Sequence, residues 1–384
     1  MYNNISMMSK TSRINYGKSS TQPAANGNIY YNITIPNNQV NPTPTAIPAT
    51  FFEVRSTSVV PDPPNTYTLS IIRAKIPTTI IPLKIIEIVP APGNTNINLT
   101  AYTVTLTWNG FTSQQNIIWI PQDAMAPVPP STISDSYVNS DFAFYYSLRT
   151  VQHFIVLINT AFAAAAADLA THGAPTANPP FLYLNPDTKL ISIYADANYN
   201  SNGPTPVKIF MNLYLGGNFN NSFDILYTNL DAPNGENFQY LVYDINGKNT
   251  EIVGGVSYFV MTQAFNTFNN MSSFDSVIFT STSLPVRYEL VSAAVPAATP
   301  ISGDFFPILQ DIQIDTFPID VGFNVIQYNP TAEFRRLQMT ALDPDALKTI
   351  DISIFWKDNY GNIYPLFIGE GQIASIKLLF EKIR

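Results

Sequence analysis

Short runs in which apolar and polar residues alternate recur along this chain of 384 residues. Examples are "TYTLSIIRAKI" (66–76), "AYTVTLTW" (101–108) and "DISIFW" (351–356). This two-residue period is typical of a β-strand with one buried face. The 31 prolines keep the strands short, because proline lacks the N–H that a central strand donates. The sequence therefore predicts a mainly β protein, either a sandwich or a barrel.

The last part of the sequence repeats this period between two turn signals. "DISIFW" and "SIKLLFEK" (375–382) alternate, and "KDNYGN" (357–362) and "GEG" (369–371) lie between them. Asparagine and glycine tolerate the positive φ of tight turns. We therefore expect a three-strand meander here. We also expect its last strand to lie inside a sheet, because an untethered end would fray.

One region has a helical period instead. Between 145 and 170 the apolar residues form a single stripe, and Gly173 follows as a stop signal. The stripe consists of Val151, Phe154, Ile155, Ile158, Phe162, Ala165 and Leu169. Asn159 and Asp168 interrupt the most apolar segment of the chain, Phe154 to Ala170, and the first twenty residues have no apolar core of signal-peptide length. We therefore expect one long helix and no membrane span.

Charged residues make up only 12% of the chain, about half the ~25% of an ordinary soluble domain. Such a chain is a candidate for burying outer surface against other copies or other proteins. An AT-rich genome, which favours Asn, Ile, Tyr and Phe codons, explains the bias equally well. The net charge of −8 argues against strong nucleic-acid binding. The absence of cysteine excludes disulfides and thiolate metal sites.

Residues 1–50 are predicted to form a flexible N-terminal arm. This stretch is rich in Asn, Ser, Thr and Pro, has no acidic residue, and carries Lys10, Arg13 and Lys18. The arm is either a solvated terminus or an anchor, and the sequence favours neither.

The chain offers few residues for catalysis or for metal binding. His153 and His172 are its only histidines, and both are interpreted as structural, on the long helix and at its end. The stretch from Asp196 to Gly203 begins like a calcium loop, but Ser201 and Val207 occupy positions that require Gly and Glu. No catalytic, cofactor or metal site is predicted.

Paired carboxylates are the remaining enzymatic possibility, because β-sandwiches can carry glycosidase sites. The candidates lie in or near strand-like segments of the last hundred residues: Glu289, Asp304, Asp311, Asp315, Asp320 and Glu333. Acidic residues on exposed strands more often suppress aggregation, so we expect no enzyme.

Five segments in order resemble one family. They are "YYSLRTVQHFIVLINTAFAAA" (145–165), "PPFLYLNPDTKLISIYAD" (179–196), "FDSVIFTSTSLPVRYE" (274–289), "AEFRRLQM" (332–339) and "IDISIFWKDNYGNIYPLFIGEGQIASIKLLFEK" (350–382). Together they resemble the penton, or minor capsid, proteins of virophages and Polinton-type DNA viruses, above all those of the Sputnik type. The resemblance covers 145–384 in blocks, and the first 140 residues add little.

The resemblance implies a single jelly roll with an inserted β-rich unit that carries the long helix. On this basis we assign 51–130 and 275–384 to the jelly-roll domain, and 131–274 to an inserted outer domain. The Pro-rich passage at 121–136 marks the first junction.

The resemblance also implies a function. The family forms homopentamers at the five-fold vertices of icosahedral shells, next to the double-jelly-roll major capsid protein. We accordingly expect a virion protein, made in the host cytoplasm or virus factory, whose arm (Lys10, Arg13, Lys18) tethers it to the capsid. A host receptor or glycan could bind the outer tip. The alternative is a carbohydrate-binding β-sandwich protein or a glycosidase.

Overall fold

A computed structural model describes residues 18–23, 27–38, 46–78, 81, 84–85, 98–121, 147–219, 221–272, 274–287, 289–290, 305–313, 325–330, 334–359 and 363–383. The strands of the first half are β1 (Lys18–Pro23), β2 (Ile29–Pro36), β3 (Ile47–Pro48), β4 (Thr50–Val54), β5 (Tyr67–Pro77), β6 (Lys84–Ile85), β7 (Leu99–Trp108), β8 (Phe111–Ile118), β9 (Ser147–Leu148), β10 (Phe181–Leu184) and β11 (Ile191–Asp196).

The later strands are β12 (Lys208–Met211), β13 (Ile225–Tyr227), β14 (Phe238–Tyr240), β15 (Thr250–Val253), β16 (Val256–Thr262), β17 (Phe274–Thr280), β18 (Glu289–Leu290), β19 (Phe305–Phe306), β20 (Ile308–Gln313), β21 (Val325–Tyr328), β22 (Leu337–Gln338), β23 (Thr349–Asp358), β24 (Ile363–Pro365), β25 (Phe367–Ile368) and β26 (Ile373–Lys382). The helices are α1 (Val151–Ala170), α2 (Leu213–Gly216) and α3 (Phe268–Met271).

Two sheets face each other across a first core, which draws on residues 29–81 and 274–380. Sheet 1 has the order β1-β2-β26-β5-β21, and β22 also pairs with β5. Sheet 2 has the order β20-β17-β23-β24, and β4 also pairs with β23. Strands β2 and β23 alternate strictly between more and less buried residues, so each sheet turns one face to this core.

The last strand lies inside sheet 1, as expected. β26 pairs with β2 on one side and with β5 on the other. The predicted meander, however, is wrong, because β23 and β24 belong to sheet 2 while β26 belongs to sheet 1. Alternation in the sequence decides which face of a strand is buried, but it does not decide which strand becomes the neighbour.

A second core draws on residues 102–271. Sheet 3 has the order β13-β14-β12-β7-β8, and sheet 4 has the order β10-β11-β16-β15. The helix α1 lies against β7, β8 and β10, so it packs on both sheets. Its predicted apolar stripe is confirmed, since all seven stripe residues are buried.

The ends of α1 are fixed by local hydrogen bonds. The Thr150 side chain accepts a hydrogen bond from the backbone N–H of His153, and Gly173 ends the helix with φ +83°. With a mean hydropathy of 1.6 over its most apolar window, α1 could cross a membrane by length and composition alone. Half of that window is nevertheless buried in the second core, and core helices of globular proteins pass the same test.

Two of the sequence assignments need correction. The strands β7 and β8, which were assigned to the jelly-roll domain, lie in sheet 3 of the second core, where β7 pairs with β12. β2, which was assigned to the flexible arm, lies between β1 and β26 with Tyr31, Ile33 and Ile35 buried. In both cases distant partners in the chain decide the position, and local composition does not reveal them.

Candidate assembly surfaces

The described residues include twenty large apolar side chains that are exposed to solvent. Single exposed apolar residues are normal on a protein surface, whereas neighbouring ones on an edge strand favour contact with a partner. Three edge strands carry such neighbours: β4 in sheet 2, β13 in sheet 3 and β15 in sheet 4.

β4 presents two apolar side chains to solvent. Its residues alternate, so Phe51 enters the first core while Phe52 and Val54 are 48% and 66% exposed. Phe52 pairs directly with Asp351 of β23, and Val54 pairs with Thr349. Within the described residues β23 is the only strand that pairs with β4. The other edge of β4 thus leaves its backbone groups and two apolar side chains open to a neighbour.

The backbone behind this surface is held by Asp351. Its carboxylate accepts hydrogen bonds from the backbone N–H groups of Thr282 and Ser283 and from the hydroxyls of Ser281, Thr282 and Ser283. Burial alone would raise the pKa of this carboxyl, but the hydrogen bonds, led by that from Ser283, outweigh it and lower the pKa. Asp351 therefore works as a charged clamp between β23 and the turn that follows β17.

β15 is exposed along its whole length. It forms a hairpin with β16 through Gly254 and Gly255, which both have positive φ, and all four of its residues are exposed. Ile252 is 77% exposed, and the hydroxyl of Tyr194 donates a hydrogen bond to Glu251. In the described part of the chain β16 is the only strand that pairs with β15. An exposed apolar edge of this kind invites pairing with another chain.

An open pocket of about 550 Å³ lies beside β13. Aromatic and polar side chains share its lining, which consists of Asn221, Phe223, Asp224, Ile225, Tyr227 and Phe238. Tyr227 is 51% exposed, and its ring lies 5.7 Å from that of Phe238. The hydroxyl of Tyr243 donates a hydrogen bond to Asp224. This combination of an exposed ring, a carboxylate and an amide suits a ligand with many hydroxyl groups.

The predicted tethering residues lie at the start of the chain. Lys10 and Arg13 are outside the described residues. Lys18 opens β1, the edge strand of sheet 1, where it pairs with Thr34 of β2. The part of the predicted arm from Lys18 to Pro23 is therefore a strand of sheet 1.

Both histidines contact their own fold. Nε2 of His153 donates a hydrogen bond to the backbone carbonyl of Ile120 across 2.7 Å. The ring of His172 stacks on Phe111 at 4.5 Å, which joins the C-terminal end of α1 to the β7–β8 hairpin. These contacts give each histidine a structural part. No cluster of metal ligands occurs among the described residues.

Of the six candidate carboxylates, Asp311 is the one whose side chain is described. It lies 3.4 Å from Nζ of Lys357, which also binds Asp275 across 2.9 Å. Burial alone would lower the pKa of Lys357. The hydrogen bonds and negative charges of Asp275 and Asp311 outweigh burial, so the pKa is raised. Asp304, Asp315, Asp320 and Glu333 lie outside the described residues, and Glu289 is placed only as a residue of β18.

Comparison with known proteins identifies the family. The profile of a family described as Sputnik minor capsid protein V18/19 matches residues 29–382, which is most of the chain. The chain belongs to this family. A minor capsid protein is a component of the virion, so the predicted structural capsid function and virion localisation are confirmed. The site of synthesis stays a prediction.

Two proteins of Sputnik virophage are similar in sequence to this minor capsid protein. "Uncharacterized protein V18" is 33% identical over 159 residues, which are 41% of this chain and 91% of that protein. "Structural protein V19" is 23% identical over 215 residues, or 52% of this chain and 93% of that protein.

Two solved structures share the fold. A chain in the 3.5 Å cryo-EM structure of the Sputnik virophage is 27% identical, with a TM-score of 0.71 over 93% of this chain and 98% of that chain. The mavirus penton protein is 17% identical, with a TM-score of 0.61 over 93% and 99%. The predicted mainly β jelly-roll fold is confirmed, and family membership favours a capsid protein over a carbohydrate-binding protein or glycosidase.

Proposed function

We propose that this minor capsid protein is a penton that forms homopentamers at the five-fold vertices of an icosahedral virus shell. The observation that carries the proposal is the match over nearly the whole chain to a subunit of the Sputnik virophage particle, at a TM-score of 0.71. The fold that the chain shares with the mavirus penton protein supports it further. Membership of a structural family also favours a role without catalysis.

Two of these edge strands, β4 and β15, are the surfaces that we assign to contacts between copies. A ring joins unlike surfaces head to tail and closes when the rotation between copies allows it. The open edge of β4, with Phe52 and Val54, and the open edge of β15, with Ile252, are apolar and free of intramolecular strand partners within the described residues. A stable contact needs about 1,000 Å² of buried surface, with such residues at its centre.

We propose two domains, built on the two cores. The jelly-roll domain contains sheets 1 and 2, and the inserted outer domain contains sheets 3 and 4 with α1. The two apolar cores are formed by different residues, which supports this division. The first boundary then falls between Ile81, in the first core, and Tyr102, in the second.

The N-terminal arm is proposed to tether the vertex to the major capsid protein. Lys10 and Arg13 precede β1, while Lys18 begins it at the edge of sheet 1. Deleting residues 1–17 removes the first two cations but leaves β1 intact. The deletion should keep the melting temperature and lower incorporation into particles, and unchanged incorporation would exclude the tether.

Mass photometry of the purified chain tests the pentamer. At high protein concentration the main species should have about five times 42.5 kDa, with five-fold views in electron micrographs. Replacing Phe52 by serine should shift the mass towards that of the monomer, because it removes an exposed apolar contact. Leu342→Ser, at an exposed residue outside both edges, is the matched control. A monomer at every concentration would contradict the proposal.

The pocket beside β13 is a second candidate site, for a neutral glycan. Tyr227 would stack on a sugar ring while Asp224 and Asn221 bind its hydroxyls. On a glycan array, Tyr227→Ala should abolish binding, whereas Tyr183→Ala, at an exposed tyrosine of sheet 4, should not. Binding without release of reducing sugar is expected. Equal binding by both variants would exclude this site.

A further inference from the structure

The solvent face of sheet 1 collects basic residues on neighbouring strands. Lys377 of β26 pairs directly with Arg73 of β5, and Lys75 lies two residues further along β5. Because side chains alternate along a strand, all three residues share the face opposite the first core, and Arg73 and Lys75 are exposed. We call Arg73, Lys75 and Lys377 the basic face.

No acidic residue compensates these charges within the described part of the chain. Two carboxylates lie near the C-terminal end of β26, and both are already in ion pairs, Glu381 with Arg336 at 2.9 Å and Asp62 with Lys382 at 2.6 Å. Among the described residues, the basic face makes a cation–π contact, in which Nζ of Lys377 lies 4.5 Å from the ring centre of Tyr30.

Like charges that lie directly opposite each other on adjacent strands destabilise a sheet. Their Cβ atoms are about 5 Å apart in such a pair. A chain with 19 basic residues among 384 has ample room to separate them. A negatively charged partner that covered this face would offset the repulsion between Arg73 and Lys377.

The chain itself carries an excess of acidic residues in one part of its sequence. Residues 98–272 contain eleven acidic and four basic residues, a net charge of −7, whereas the rest of the chain contains sixteen and fifteen, a net charge of −1. Exposed carboxylates of this part include Asp187, Asp231 and Asp244. The basic face lies on the first core and the exposed carboxylates lie on elements of the second, so a contact between them would join two different surfaces, as in a head-to-tail ring.

We propose that the basic face binds the acidic surface of residues 98–272 in the next copy of the chain. The inference rests on the proposed ring and adds an ionic contact to its apolar edges. It assigns to Arg73, Lys75 and Lys377 the function of orienting each copy on its neighbour, because complementary charges fix register and exclude wrong partners.

DNA is the less favoured occupant. Three cations on two adjacent strands can contact about three phosphates, whereas a protein that binds a duplex with strong salt dependence makes about six to ten such contacts. The net charge of −8 also repels nucleic acid at longer range.

Mass photometry at 0.1 M and 0.5 M NaCl measures the ionic contact. The variant combines Arg73→Gln, Lys75→Gln and Lys377→Gln, and its matched control combines Lys189→Gln, Lys208→Gln and Lys248→Gln, an equal loss of charge within 98–272. At 0.1 M NaCl the basic-face variant should need at least a tenfold higher protein concentration for half-assembly than the wild type. The control variant should need no higher concentration than the wild type. Salt should weaken wild-type rings and leave the variant nearly unchanged.

Two further measurements separate a contact from a fold defect. The melting temperature of the dilute triple variant should equal or exceed that of the wild type, since like-charge repulsion is removed. Carbodiimide coupling should join Lys75 or Lys377 to a carboxylate of 98–272 in the ring fraction and not in the monomer fraction.

The outcomes distinguish the inference from the proposed function. Wild-type rings whose assembly the triple variant does not change would overturn the ionic contact and leave the penton function standing. Cross-links from Lys75 or Lys377 to carboxylates outside 98–272 would also overturn the ionic contact and leave the penton function standing. Tight binding of a 20-base-pair duplex that the triple variant alone abolishes would reassign the face to DNA. Absence of rings in every protein would overturn both.

Discussion

Replacing Asp351 by asparagine should lower the free energy of unfolding of the sandwich by about 2 kcal/mol. The structure gives the carboxylate five donors. Oδ1 accepts from the Ser281 hydroxyl at 2.7 Å, the Ser283 N–H at 2.7 Å and the Ser283 hydroxyl, and Oδ2 accepts from the Thr282 hydroxyl at 2.8 Å. The Thr282 N–H donates to both oxygens, at 2.9 Å to Oδ2 and 3.1 Å to Oδ1.

The magnitude follows from what the amide cannot do. Asparagine keeps one oxygen, so the N–H of Thr282 keeps its 3.1 Å contact with Oδ1 but faces an NH₂ group, a second donor, in place of Oδ2 at 2.9 Å. A hydrogen bond to a charged group contributes about 1.5–3 kcal/mol, and an unmatched buried donor costs about 1–3 kcal/mol. Thr282 is exposed, so water replaces part of the loss and the lower end of the range applies.

The effect should depend on pH in one direction. The pKa of Asp351 in the folded protein lies below its usual value of 3.8, so its carboxylate stabilises the fold above the unfolded pKa. This contribution is lost as the pH falls through the folded pKa. The difference between wild type and Asp351→Asn should stay constant above about pH 5 and shrink below about pH 4.

Hydrogen exchange in increasing urea measures the effect within the sandwich, because peptides from 274–287 and 349–358 report on it separately from the second core. Asp345→Asn is the control, since the carboxylate of Asp345 is 61% exposed and pairs with Lys348 at the surface. It should change stability by less than about 0.5 kcal/mol. Equal protection of wild type and Asp351→Asn at pH 7, or a difference that does not shrink as the pH falls below about 4, would refute the clamp.

Three other predictions concern the core, the turns and the edge. Phe380→Ala, at a side chain with no exposure inside sheet 1, should cost about 3–5 kcal/mol in a urea titration, and a loss below 1 would contradict its place in the core. Gly235→Ala should lower the melting temperature more than Gly254→Ala. Both glycines have positive φ, but only a Cβ at Gly235 would clash, at 2.6 Å from Thr103 Oγ1, so equal shifts would contradict this close contact. Ile252→Lys should change stability by less than about 0.5 kcal/mol yet reduce rings in mass photometry, and unchanged rings would exclude the edge of β15.

Local periodicity predicted the elements where one face of a segment is buried. The helical stripe from Val151 to Leu169 and the alternation in β23 correspond directly to buried residues. β2 carries the same signal, since Ile29, Tyr31, Ile33 and Ile35 alternate with polar residues or Tyr30. It was assigned to the arm because the surrounding stretch is polar and without acids.

Strand neighbours could not be predicted in the same way. The "NG" at Asn109–Gly110, with φ of +48° and +83°, is a local signal for the β7–β8 hairpin. β7 of that hairpin pairs with β12, about a hundred residues later in the sequence, and no local pattern predicts this partner. β26 likewise joins β2 and β5 across more than 300 residues. The sequence therefore indicates strands and turns better than it indicates the core that each strand enters.

The candidate surfaces were less accessible from sequence than the fold. Low charge indicated contact with partners, but the basic face exists only because β5 and β26 become neighbours in this register. Similarly, the Asp351 clamp joins residues about seventy positions apart. Family resemblance predicted the capsid function, since spacing and composition alone left the sandwich without an assigned activity.

The location of the chain in the particle tests the central claim most directly. A cryo-EM map of purified virions, refined with icosahedral symmetry and compared with particles assembled without this protein, should show the two-sheet sandwich as five copies around each five-fold axis. Density for β26 between β2 and β5 would identify the chain in the map. Vertices that are occupied without it, or copies found only away from the five-fold axes, would contradict the penton function.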